Sequence, residues 1–334
     1  MRTLCRDLWV SFLMGLVIPV FLLNLCSRLM DRTEKDIVFT KPEIVEAENI
    51  RQRTVALPAR VRQPDGSVLQ MDMDTYLVGV VLAEMPAAFE TEALKAQSVV
   101  ARTYTRKAYT TGGKHGDGSV CTDSTCCQAY RSEKDFLEHG GTSEDLQKVR
   151  NAVLSTSGFV LMYADTLIEA TYFSCSGGST EDAQAVWGTD YPYLQAVSSP
   201  GEEDALYYCD TVVFSREEFL EKLDLPAENS EQLWFSDISY TDGGGVDSLS
   251  VCGKTFRGTE FRKLLGLRST SISIEISEET VILTTRGFGH RVGMSQYGAD
   301  AMAAAGSGWR EILSHYYSGT EPVCLPAEEN ASPL

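Results

Sequence analysis

The stretch "VGVVLAEMPAAF" runs small and apolar residues straight into one carboxylate, Glu84, and meets Pro86 two residues later. Desolvation beside Val80, Val81 and Leu82 can raise the pKa of such a carboxyl and keep a proton available near neutral pH. Glycosidic-bond cleavage needs that proton at the leaving oxygen. The plainer alternative is a surface glutamate at a helix end. Arg102, on the next helical segment, could meet a substrate carboxylate or Glu84 itself. In direct contact with Glu84 it would lower the carboxyl's pKa and oppose the acid role.

Three further constellations carry chemistry. In "HGDGSVCTDSTCC", His115, Cys121 and Cys127 stand six residues apart, with Cys126 adjacent. Thiolates with an imidazole suit a tetrahedral zinc ion; a disulfide-bonded loop and free thiols are the alternatives. Three ligands would leave a position for water, and Cys126 would close it. Neighbouring residues can both ligate only across a sharp turn. In "YFSCSGGSTEDAQAVWG", Gly177 and Gly178 let backbone approach a ligand and expose Ser176, Ser179 and Thr180, with Glu181 and Asp182 next. A plain strand-to-loop turn would read the same way. In "RGFGHRVGMSQYGADAMA", glycines bracket His290 and Arg291, and Ser295 can cap the helix that follows. Glycine loops at helix starts meet ligands, so His290, Ser295 and Gln296 join the candidate contacts. A structural, hydrogen-bonded His290 is the alternative. A thiol–imidazole pair of Cys175 with His290 finds no local support.

The elements that must position these residues follow from periodicity. "TVALPARVRQPDGSVLQMDMD" holds two strand-like runs around a turn. Asp74 can cap a helix starting at Thr75, which must end at the Met85–Pro86 step. A second helix carries Ala93, Ala96, Val100, Ala101, Tyr104 and Ala108 at helical spacing. Its acidic start and its basic end (Arg102, Arg106, Lys107) suit the macrodipole. "EDLQKVRNAVLSTSGFVLMY" predicts helix then strand, and "TLIEATYFS" one strand. Residues 205–270 predict a small insertion of helix, two strands and helix. A strand precedes the "GFGHRVG" loop and its helix, and "WREILSHYY" is the last helix. The fold class expected is α+β, a mixed helix and strand core with a small α+β insertion.

The N-terminus differs in kind. Leu8 to Cys26 is an apolar run without charge, nearly long enough to span a bilayer core at about 1.5 Å per residue. It reads as an anchor rather than a cleaved signal, because no clear small-x-small cleavage site follows. Residues 1–30 are then a cytoplasmic stub and transmembrane helix, 31–45 a tether, 46–325 the catalytic domain and 326–334 a frayed tail. The large part is expected outside the membrane. The formal net charge of −18 over 334 residues argues against nucleic-acid binding. Nine cysteines leave Cys175, Cys209, Cys252 and Cys324 free to pair in three ways or stay reduced if the cluster binds metal.

Together, "YLVGVVLAEMPAAFETEALKAQSVVARTYT", "YFSCSGGSTEDAQAVWGTDYPYLQAVSSPGEE" and "GFGHRVGMSQYGADAMA", in that order, resemble the stage II sporulation protein D family. Its domain is shared with the LytB-type amidase enhancers. The resemblance covers most of residues 46–320. It implies a membrane-anchored lytic transglycosylase facing peptidoglycan on the mother-cell side of the engulfment septum. Its substrate would be glycan strands stripped of stem peptides, and its partners stage II sporulation protein P, an amidase, and stage II sporulation protein M. Glu84 then stands at the family's acid/base and Arg102 is the next candidate. His115, Cys121 and Cys127 match the zinc site of clostridial members, with Cys126 a candidate fourth ligand; the zinc is expected to be structural. The loops 174–182 and 287–296 would position the glycan. Ser179 stands where many relatives have a basic residue after "SGG", which puts a substrate contact there in doubt, and Cys175 stands where cysteine is not expected. A muramidase pairing Glu84 with Glu181 or Asp182, and a non-catalytic glycan-binding activator of an amidase, are the rival readings.

Overall fold

A helix that is apolar on every side must be buried on every side, and α1 (Met73–Glu84) is such a helix: Tyr76 to Leu82 are all buried. Its N-cap is Asp72, whose Oδ1 accepts from Thr75 N at 2.9 Å. This corrects the expected cap at Asp74, which lies inside the first turn and faces Arg102 instead. Met85 takes extended angles, φ −127° and ψ 144°, so the helix stops where proline demands it. The computed structural model describes residues 58–226, 228 and 233–325. The run Leu8–Cys26, the tether and the tail 326–334 lie outside the described residues. Among the described residues no helix is long and apolar enough to cross a membrane.

Helix α2 (Thr91–Thr111) is the axis of the first core. It packs on α1, on α4 (Ser143–Ser155, which follows the short α3 at Glu133–Glu138) and on the last two helices of the chain. It runs four residues past Lys107 to a left-handed Gly112, so its last turn holds no basic residue, contrary to expectation. After α4 come α5 (Ala183–Trp187), α6 (Arg216–Lys222), α7 (Gly258–Leu265), α8 (Gln296–Ala304) and α9 (Trp309–Tyr316). With sixteen strands among the described residues, the architecture is mixed α+β.

Two pairings matter for the site. The expected single strand "TLIEATYFS" is split, because Thr166–Leu167 joins the sheet of Phe159–Tyr163 and Glu321–Cys324, whereas Tyr172–Phe173 pairs in parallel with Met294–Ser295. That parallel contact lays the two glycine-rich loops side by side, and single bridges Cys175–Phe288 and Glu181–Val292 extend it. A second apolar core, around Phe219, Leu249, Phe256, Phe261 and Leu283, lies within 209–286. It is built from α6, α7 and two three-stranded antiparallel sheets. Thr280–Arg286 is the central strand of its sheet and pairs with Cys209–Ser215, so this body continues past residue 270.

Candidate active site

Glu84 is the last residue of α1, half-buried in the wall of a cavity of about 820 Å³. Both of its direct hydrogen bonds go to Oε1, from Ala129 N at 2.7 Å and from Tyr172 Oη at 3.2 Å. The second oxygen is left for the cavity. Burial pushes the carboxyl above its ordinary value, against the pull of the donors on Ala129 and Tyr172. Burial and the Glu84 charge push the Tyr172 phenol well above its own, so it stays protonated and able to donate.

Of the expected contacts, Gln296 and His290 line this cavity with Glu84. The parallel strand pair brings Gln296 beside Tyr172; its side chain is buried and its Nε2 is without a hydrogen-bond partner. The His290 ring lies against Phe173 and Trp187. Burial, helped by Arg262, pushes the imidazole down to about 4, so it is neutral at physiological pH. Nδ1 accepts from Val292 N at 3.1 Å, which leaves the proton on Nε2.

The remaining expected contacts do scaffold work. Ser176 and Thr180 are fully buried, and the cavity wall takes Thr171 to Ser174 rather than the glycine loop that follows. Glu202 gathers that loop: it accepts from Ser176 N at 2.6 Å, Ser176 Oγ at 2.8 Å and Gly177 N at 3.2 Å. Gly178 N donates to Ser176 Oγ, and Ser179 Oγ to the carbonyls of Thr180 and Val197. Gly177 is needed for packing: at φ +74° a Cβ there would sit 2.6 Å from the backbone of Arg286. Ser295 is buried and caps α8 through Gly298 N.

Arg102 is not brought to Glu84. Its buried guanidinium pairs with Asp74 at 3.0 Å and donates to the carbonyls of Val153, Thr156 and Phe159. It satisfies the C-terminal carbonyls of α4 and locks them to the first turn of α1. The rival second carboxylates are also committed. Glu181 is buried in an ion pair with Arg291 at 3.1 Å, and Asp182 caps α5. The cavity's other carboxyl, Glu169, is ion-paired with Lys107 at 2.8 Å.

His115, Cys121, Cys126 and Cys127 bring their donor atoms within 4.8 Å of one another. His115 Nε2 lies 3.6 Å from Cys127 Sγ and 3.9 Å from Cys126 Sγ, and the two sulfurs are 3.9 Å apart. A tetrahedron with zinc–sulfur bonds of about 2.3 Å and zinc–nitrogen bonds of about 2.0 Å has edges of roughly 3.5–3.8 Å, so this donor set could hold such an ion. The sharp turn that two adjacent ligands require is present, with Cys126 N and Cys127 N both donating to Asp123 O. All seven cysteines among the described residues are free. From this cluster the chain runs directly to Gln128 and to Ala129, the donor to Glu84.

Sequence reasoning missed Tyr172 and Gln128 as neighbours of Glu84, and Arg291 and Glu202 as organisers of the loops. Tyr172 stands in the quoted "YFSC" motif, but only the strand pairing reveals its reach.

The sequence profile described as "Stage II sporulation protein" matches residues 62–163. Stage II sporulation protein D of Bacillus subtilis is 38% identical over 293 residues, 86% of this chain and 85% of the relative. The protein of the same name from Bacillus amyloliquefaciens is 34% identical over 326 residues, 93% of this chain and 94% of the relative. The B. subtilis amidase enhancer is 29% identical over 303 residues, which span 73% of this chain and 40% of that protein. Matched at 38% and 34% identity over 86% and 93% of its length, the chain belongs to the stage II sporulation protein D family.

Proposed function

We propose that the protein is a peptidoglycan lytic transglycosylase in which Glu84 serves as both acid and base. The observation that carries this reading is one carboxyl with a raised pKa in a cavity wall, while the other candidate carboxylates are tied up in ion pairs or a cap. Protonated Glu84 gives its proton to the oxygen leaving C1 of the muramic sugar. The resulting carboxylate takes the proton of the same sugar's C6 hydroxyl, whose oxygen closes on C1. The product is a 1,6-anhydro end, the proton count returns to its start, and no water enters. Gln296, whose Nε2 has no hydrogen-bond partner, is a polar group of the cavity wall free to hold the sugar.

His115, Cys121, Cys126 and Cys127 are proposed to bind zinc. Four protein ligands leave no open position, so the ion's role is to close the loop that presents Ala129. Attachment to the membrane through the N-terminal apolar run, action in engulfment on strands already stripped by the amidase stage II sporulation protein P, and association with stage II sporulation protein M are proposed with it, on the family resemblance alone. A second reading, a glycan-binding activator of an amidase, is favoured by the likeness to the amidase enhancer.

Mass spectrometry of denuded glycan strands digested by wild type and by Glu84→Gln tests the proposal. Anhydro ends from wild type and none from the variant are expected. Free reducing ends would favour the muramidase reading, and equal digestion by both chains would overturn Glu84 as the acid.

A further inference from the structure

Tyr172 Oη has one proton and two acceptors at equal distance: Glu84 Oε1 at 3.2 Å and Gln128 Oε1 at 3.2 Å. A hydroxyl rotor can serve one of them at a time. Gln128 is fixed in place. It is buried, and its Nε2 donates to Thr105 Oγ1 at 3.0 Å and to Tyr76 Oη at 3.3 Å. Its carbonyl oxygen is therefore turned to Tyr172. A single acid/base residue must be stable in both protonation states within one turnover, and a donor committed permanently to the carboxylate would favour only one of them.

We propose that Tyr172 is a positioning residue whose hydroxyl proton follows the charge on Glu84, turning to Glu84 when it is ionised and to Gln128 when it is protonated. This rests on the reading of Glu84 as the acid and base of the proposed reaction. A carboxylate is a stronger acceptor than an amide carbonyl, and an amide carbonyl is stronger than a neutral carboxylic acid. The rotor switches as the proton leaves Glu84 and returns with it. Ala129 N holds Oε1 in both states, so the carboxyl does not move while its charge changes. The other titratable groups around the pair are Tyr76 on α1, Tyr104 on α2, and Cys127. Burial raises both of these phenols, so they stay neutral. Across the cavity lie Lys114, neutral His290, Cys126 and the Glu169–Lys107 pair.

The two ends of the rotor predict opposite shifts. In the full chain in detergent, the protonation of Glu84 is read by infrared spectroscopy with isotope-labelled glutamate, its band assigned by its absence in Glu84→Gln. Tyr172→Phe deprives the carboxylate of a donor, and the midpoint moves up by about one pH unit, a tenfold change in the ionisation ratio. Gln128→Met removes the alternative acceptor, destabilises the neutral form, and moves the midpoint down. The alkaline limb of kcat/KM on denuded glycan follows each midpoint. Loss of a merely structural contact would not produce opposite signs. If Gln128→Met fails to fold, 3-fluorotyrosine at position 172, a stronger donor with the same packing, lowers the midpoint in its place. Midpoints that stay fixed, or move in one direction together, overturn the proposal. Shifts as predicted with products that carry free reducing ends would leave it standing and sink the reaction assigned to Glu84.

Discussion

Glu84 shows how an apolar setting becomes chemistry. Because burial raises its pKa in the fold, the ionised side chain costs stability. That cost is absent below the unfolded-state pKa, grows as pH rises to the folded-state value, and is constant above it. Glu84→Gln is therefore expected to melt at or above the wild-type temperature at neutral pH while losing about 10²- to 10⁴-fold in rate; thermal melts and strand digestion check both halves. For the same reason the alkaline limb of the wild-type pH profile should lie above the value of an unperturbed glutamate. Arg102 is the counter-case. Arg102→Met strands the half-buried Asp74 and the carbonyls of α4, so a loss of about 3–5 kcal/mol in denaturant unfolding is expected, with near-normal activity in the folded fraction. The partly buried place of Glu84 at a helix end was legible because an apolar run and a proline are local signals. The role of Arg102 was not, since its partners are mostly carbonyls some fifty positions away, and carbonyls leave no trace in residue type.

At the scale of elements, the loop from His115 to Ala129 joins the proposed zinc cluster to Glu84 without a break. Metal removal is expected to free the Ala129 amide before the core unfolds. Amide exchange with and without chelator should show protection lost at 115–129 and kept in α2. Elemental analysis should give one zinc per chain, and Cys126→Ser should bind it more weakly. The spacing of His115, Cys121 and Cys127 was readable, but the contribution of Cys126 depended on a turn built by Asp123 O. The "SGGST" loop is the ambiguous case. Its glycines resemble a ligand cradle, yet they let the chain pass close to Arg286 and Gly287 while Glu202 accepts from the amides of Ser176 and Gly177. Sequence alone does not distinguish a backbone that approaches a ligand from one that approaches another strand.

Across the whole molecule, two apolar cores are tied together by Arg291. It holds a left-handed conformation, φ 65°, which is uncommon for a residue with a side chain. Its guanidinium reaches Ser176 O, Ser179 O and Glu181 on the glycine loop and Gly243 O on the insertion. Arg291→Met should cost about 3–5 kcal/mol and raise amide exchange in the 241–246 turn ahead of the α1–α2 core. The two cores could be anticipated from the strand and helix order of the insertion. The bolt between them could not, because it links positions 291, 176 and 243.

The parallel pairing of Tyr172–Phe173 with Met294–Ser295 also sets a timetable. One wall of the cavity comes from residue 84, another from residue 172, and the closing side chain, Gln296, lies over two hundred positions beyond the acid. Such distant contacts form late, after the entropy of a long loop has been overcome. A ribosome-bound chain that has displayed Glu84 but not Gln296 holds that carboxyl without the wall that encloses it. Under the proposed reaction, the capacity to cut would arrive only after Gln296 has been made.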